Sequence, residues 1–136
     1  MSRADYTDDV DSAWAFIRYR GAVKSAICGA RGQAFLREML AALDTVADGR
    51  LISGALEENG SVCAIGAVGK ARKLDMSRLD PDNYRQIAAA FGVAASMVRE
   101  IAYENDELFC DEALECRFRR VREWVLKNIT PVRDAA

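Results

Sequence analysis

Histidine, the side chain that most often moves protons or binds a transition metal near neutral pH, is missing from all 136 residues. The four cysteines, Cys28, Cys63, Cys110 and Cys116, never take the C-x-x-C spacing that chelates zinc or cycles a disulfide. Cys63 is the one candidate nucleophile. It falls between an expected strand and an expected helix start, where the helix dipole would favour a thiolate. With no histidine to deprotonate it, its expected role is that of a buried structural residue. Gly66-Ala67-Val68-Gly69-Lys70 resembles the end of a phosphate-binding loop, but Ala64 stands where that motif needs glycine and Ala71 where it needs a hydroxyl for Mg²⁺. Glu104-Asn105-Asp106-Glu107 offers oxygen ligands without the alternating acids and central glycine of a calcium loop. Asn105 and Asp106 are instead expected to close a helix and bond to nearby backbone. These observations predict no enzyme: no catalytic residue, no metal and no cofactor, with function residing in binding.

Tyr84 to Ile101 resembles a DNA-binding helix-turn-helix over nearly the full motif. Ala88 gives the small residue of its first helix, Gly92 the turn, Val93 the apolar residue that follows, and Val98 and Ile101 the positions that lock the second helix. The face that would enter a major groove carries Ala94, Ala95, Ser96, Arg99 and Glu100, so Ser96 and Arg99 are the candidate nucleic-acid contacts. One cation is poor equipment for neutralising phosphates, and the acids of Glu104 to Glu107 follow closely. Arg18 and Arg20, about 200° apart on a helix, do not share a face that would help. DNA is therefore the alternative partner.

The elements that must position these residues are mostly helical. Asp8, Asp9 and Asp11 suit a helix start, and the pattern from Val10 to Ile27 is helical until Gly29 offers a left-handed stop. Its apolar residues form two stripes, Val10, Trp14, Ile17 and Phe16, Val23, Ile27, which predicts burial on more than one side. Gln33 to Val46 is a second amphipathic helix, reached through the short Gly29 to Gly32 connection. Asn59-Gly60 predicts a type I′ turn and hence a hairpin near residues 50 to 63. A third helix is expected from Cys63 to Lys73, with Gly66 and Gly69 allowing close approach. The fourth starts at Asp80-Pro81 and runs to Phe91, and the fifth spans Ala94 to Tyr103. A last one, capped by Asp111, carries Leu114, Phe118, Val121, Val125 and Ile129. The expected fold is a mainly α (α+β) single domain, residues 1–136: a compact bundle of five to six helices with one short hairpin. Its first, second and sixth helices supply most of the core, and Trp14, Ile17, Phe35, Leu40, Phe118, Val121 and Trp124 are buried.

Charge is segregated. Glu104 to Glu115 holds six acids and no cation, and Arg117, Arg119, Arg120 and Arg122 follow at once. Acids in a helix's first turn and solvated cations behind them are the expected arrangement. MSRADYTDDV lacks the apolar centre of a signal peptide, and no apolar run reaches the roughly 20 residues of a membrane span. A cytoplasmic protein without membrane contact is therefore expected, its scattered cysteines buried as small apolar residues. Oligomeric state is not legible at this level.

A wider resemblance rests on Arg18-Tyr19-Arg20-Gly21-Ala22-Val23-Lys24-Ser25-Ala26-Ile27, Arg31-Gly32-Gln33-Ala34-Phe35-Leu36-Arg37-Glu38 and Cys63-Ala64-Ile65-Gly66-Ala67-Val68-Gly69. These segments are similar to small proteins of unknown activity encoded by phages and prophages of proteobacteria. The hairpin, the Cys63 segment and Asn105-Asp106 are also similar, more distantly, to a widespread bacterial group of unknown function. The resemblance implies no functional residues. Its phage setting implies a host or phage protein as partner and an anti-defence role, anti-CRISPR proteins included, in which a small non-enzymatic chain occludes a host surface.

Overall fold

The computed structural model describes residues 2–107 and 112–131, with side chains from 13 to 106 and from 112 to 131. Among them six α-helices and one two-stranded antiparallel hairpin form a mainly α fold. The helices are α1 (Ser2–Cys28), α2 (Ala30–Leu43), α3 (Ala64–Ala71), α4 (Tyr84–Phe91), α5 (Ala95–Ala102) and α6 (Leu114–Asn128). The strands are β1 (Glu57–Glu58) and β2 (Ser61–Val62), and a π-helical turn, Tyr103–Glu107, follows α5.

The hairpin forms where Asn59-Gly60 predicts it. Both residues take positive φ, and Glu57 pairs with Val62 and Glu58 with Ser61. It is narrower than expected, since residues 50–56 are not strand, although Ile52 N–H donates to the Val62 carbonyl at 3.0 Å. Gly66 lets α3 lie directly on this region, and a methyl group there would overlap the Leu56 carbonyl.

Several helix boundaries differ from expectation. α1 begins at Ser2, so Asp8, Asp9 and Asp11 lie inside it and do not start it. Gly29 has φ −69°, an extended residue that turns directly into α2, not a left-handed stop. That tight corner starts α2 at Ala30 and ends it at Leu43, and Gly32 sits so close to the Ala26 carbonyl that no Cβ would fit. α4 is capped by Asn83, whose Oδ1 accepts from Gln86 N–H at 3.1 Å, three residues after the expected start at Asp80. Asp80 instead accepts from Asp82 N–H. Ala113 occupies the N-cap position of α6 with no side-chain cap, and Asp111 lies outside the described residues.

The core is gathered around α2. Phe35, Leu36, Met39 and Leu43 of α2 pack with Ile65 and Val68 of α3, Ile87 and Phe91 of α4, Met97, Val98 and Ile101 of α5, and Val121 and Val125 of α6. Phe35 and Val121 are buried as expected, with Leu40, Phe118 and Trp124 packed partly against this centre. Among its described side chains, helix α1 adds only Val23 and Ile27 to the buried residues. Trp14 and Ile17, expected inside, are 59% and 58% exposed. The reason is positional: every residue from Ala13 to Arg18 is exposed, so among the described residues no core packs against this part of α1. The short helices α3 and α5 take the core role expected of α1.

Candidate partner-binding cleft between the first and fifth helices

Three short helices and one long one bring several chemistry-bearing side chains together. Gly92 takes a left-handed φ of 75° and ends α4, and α5 restarts at Ala95 against it. Met97, Val98 and Ile101 anchor α5 in the core. The residues between them, Ser96, Arg99 and Tyr103, are left on the outer side, and Glu100 turns toward α1.

Helix α1 meets this side with Tyr19 and Arg20. The Tyr19 hydroxyl donates to Glu100 Oε2 at 3.1 Å, and Arg20 Nη1 donates to Glu100 Oε1 at 3.0 Å. The Glu100 side chain keeps only 10% of its exposure, so its charge is met inside the chain. The Arg99 guanidinium stacks over the Tyr19 ring at 4.9 Å from its centre. Burial, reinforced by the hydrogen bond to Glu100, pushes the Tyr19 phenol up to about 12. It is therefore no proton donor near neutrality. Burial and the nearby Glu100 charge together raise the Glu104 carboxyl above its usual range.

Around this cluster opens a cleft of about 700 Å³, lined by Phe16, Tyr19, Arg20, Tyr84, Arg99, Glu100 and Tyr103. Phe16 is 64% exposed and Tyr103 43%. The charged groups are paired or stacked while Phe16 and Tyr103 remain open. That arrangement can hold an apolar anchor flanked by polar groups, the composition of an interface centre.

Of the two residues expected to touch DNA, Arg99 lies on Tyr19 and Ser96 is half-buried. Tyr19 and Arg20 engage both charged residues of the face that would enter the groove.

Cys63 does not join the cleft. It is buried at the N-cap of α3, and its Sγ accepts from Gly66 N–H at 3.3 Å. Burial pushes the thiol up to about 11, which suppresses the thiolate despite the helix start. Cys28 and Cys116 are exposed, against the expectation that all four cysteines are buried, and Cys110 lies outside the described residues. Lys70 Nζ of the loop-like glycine segment donates to the Gly60 carbonyl. Among the described residues no group of three or more acids or cysteines is placed to hold a metal, and no helix is long and apolar enough to cross a membrane.

The charge blocks resolve into a polar junction that composition alone did not reveal. Asn105 Oδ1 accepts from Ala64 N–H at the start of α3, and its Nδ2 donates to the Ile52 carbonyl at 2.8 Å. Arg117, 1% exposed, donates through Nε to the Asn105 carbonyl at 2.8 Å and through Nη1 to the Leu51 carbonyl at 3.3 Å. Arg120 grips Glu112 with both ends of its guanidinium and donates to the Glu104 carbonyl. These cations are structural, not solvated. A signal for Arg117 existed, because it stands four and eight residues before Val121 and Val125 and so shares their buried face.

No family model, curated protein sequence or solved structure matches this chain.

Proposed function

We propose that this protein is a non-enzymatic binding protein whose α1–α5 cleft receives part of a partner protein. One observation carries the reading: Glu100 is paired within the chain and Arg99 is stacked on Tyr19, while Phe16 and Tyr103 stay exposed. A catalytic cleft would keep a titratable group free near neutrality, and a nucleic-acid cleft would keep free cations. Here Glu100 is held by Tyr19 and Arg20, and Arg99 lies on a ring. Exposed aromatics beside paired charges suit a protein surface. Joined to the resemblance to small phage and prophage proteins, the reading extends to a cytoplasmic anti-defence inhibitor, anti-CRISPR proteins being the model, that occludes a host surface.

The test is a stoichiometric pull-down from host lysate, defence complexes included, with the wild type beside Phe16→Ser and Tyr103→Ser. The reading expects one partner retained by the wild type and lost by both variants. Turnover abolished by changing a single acid would overturn it. A DNA-binding regulator is the second reading, favoured by the left-handed turn at Gly92 between two short helices. It requires salt-sensitive duplex binding that Arg99→Ala removes.

A further inference from the structure

Charge in the α1–α5 cleft is unequally matched, and the mismatch indicates what kind of segment enters it; the inference rests on reading that cleft as a protein-binding site. Two guanidiniums, Arg20 and Arg99, line it with one carboxylate, Glu100. Both oxygens of that carboxylate are engaged, Oε1 by Arg20 and Oε2 by the Tyr19 hydroxyl. Arg99 takes no part in this. One face of its guanidinium rests on the Tyr19 ring, and among the described residues no oxygen accepts from its N–H groups. A guanidinium held flat on a ring keeps its donors in its own plane, in the fork geometry that meets a carboxylate through two hydrogen bonds. Arg99 is exposed and lines the cleft, so those donors are open to a group entering there. The stack also orders the side chain in advance, so less rotamer freedom is lost when the fork is met.

The rings of Phe16 and Tyr103 line the same cleft and are exposed. A segment that meets both features carries a carboxylate with an aromatic or bulky aliphatic side chain close beside it. A nucleic-acid strand also offers anions and stacking bases, but it brings a phosphate on every nucleotide and needs a groove of cations that follows them. Here the other charged groups are Arg20, held by Glu100, and the Glu104 carboxyl, close enough to feel the Glu100 charge. One open fork among acids suits one carboxylate and not a run of phosphates. We propose that the cleft receives an acidic and aromatic segment of a protein partner: a side-chain carboxylate of the segment accepts from the in-plane N–H groups of Arg99, and its apolar neighbour packs on Phe16 and Tyr103.

The probe is a displayed library of random short peptides, selected on the full chain and, in parallel, on Arg99→Gln, Arg99→Glu and Phe16→Ser. The wild type should enrich Asp or Glu beside Trp, Phe or Leu. A selected peptide, made synthetically, should bind Arg99→Gln about tenfold more weakly or worse, and its amide analogue should bind the wild type as weakly. The two losses should not add, since each removes the same contact. Selection on Arg99→Glu should replace the acid by Lys or Arg. Arg99 is exposed, so the folding of its variants, followed by circular dichroism, should be unchanged. Acidic peptides that bind Arg99→Gln as well as the wild type would overturn the proposal. Peptides that depend on Phe16 but carry no acid would overturn it while the cleft reading stands, and the lack of any peptide that depends on Phe16 would overturn both. Salt-sensitive binding of oligothymidine, tighter than that of any selected peptide and lost in Arg99→Gln, would overturn it in favour of single-stranded nucleic acid.

Discussion

Two regions of this molecule treat their side chains in opposite ways. At the junction of Leu51, Ile52, the start of α3, the π-helical turn and α6, polar groups lie deep in the fold, and the bonds to them come from within the chain. On α1 between Ala13 and Arg18 the situation is inverted: Trp14, Phe16 and Ile17 are apolar and open to water. Each forgoes more than half of the roughly 1.5–3 kcal/mol that full burial of a large apolar side chain supplies. A buried cation held by backbone carbonyls serves the fold, since removing it strands its partners. An exposed aromatic on an otherwise unsupported helical stretch contributes little to the fold and is available to a partner.

The largest expected effect is at the junction. Arg117→Ala should destabilise by about 3–5 kcal/mol in denaturant titration, because Glu112 loses a partner and the Asn105 and Leu51 carbonyls lose their donor. A cost below about 1 kcal/mol would mean that water replaces the guanidinium and the contrast fails. Leu36→Ala, a fully buried position, should cost about 2–5 kcal/mol. Trp14→Ser should lie within about 0.5 kcal/mol of the wild type. Equal losses for these two would put Trp14 inside the monomer.

Smaller effects sharpen the same contrast. Alkylation of the native protein should modify Cys28 and Cys116 and spare Cys63, read by mass spectrometry, since burial holds the Cys63 thiol up at about 11. Surface pairs should matter least: Arg122→Ala, which removes the bond to the exposed Asp44, should cost far less than Arg117→Ala or Leu36→Ala in the same titration. The Arg122 hydrogen bond lowers the Asp44 carboxyl below its usual range. Its contribution is present above the unfolded-state value and is lost as pH falls through the lower folded-state value. Acid unfolding of Arg122→Ala should therefore differ from the wild type near neutrality and converge with it in strong acid.

How much of this was legible follows from what sequence periodicity measures. Asn59-Gly60 announced the hairpin because its turn demands positive φ locally, and α2 and α6 were visible because one apolar stripe meets one core. α1 was misjudged for the opposite reason. Its two stripes are real, but periodicity reports that a face is apolar and not what covers it; Val23 and Ile27 meet the core while Trp14 and Ile17 meet solvent. The bonding of Glu100 to Tyr19 and Arg20 spans about 80 residues of chain, and no local pattern carries that information. Arg117 was hidden by its neighbours, since a run of arginines reads as a solvated face unless the position of each is set against the apolar stripe.

The central claim is that Ala13 to Arg18 of α1 stands open to a partner and is not part of the chain's own core, and Trp14 reports on it directly. In a Trp124→Phe background its emission should be water-like in dilute solution. Unfolding in denaturant should shift it little, because folding leaves the ring open to water. Blue emission in dilute solution that moves to the red on unfolding would show Trp14 packed within its own chain and would contradict the account.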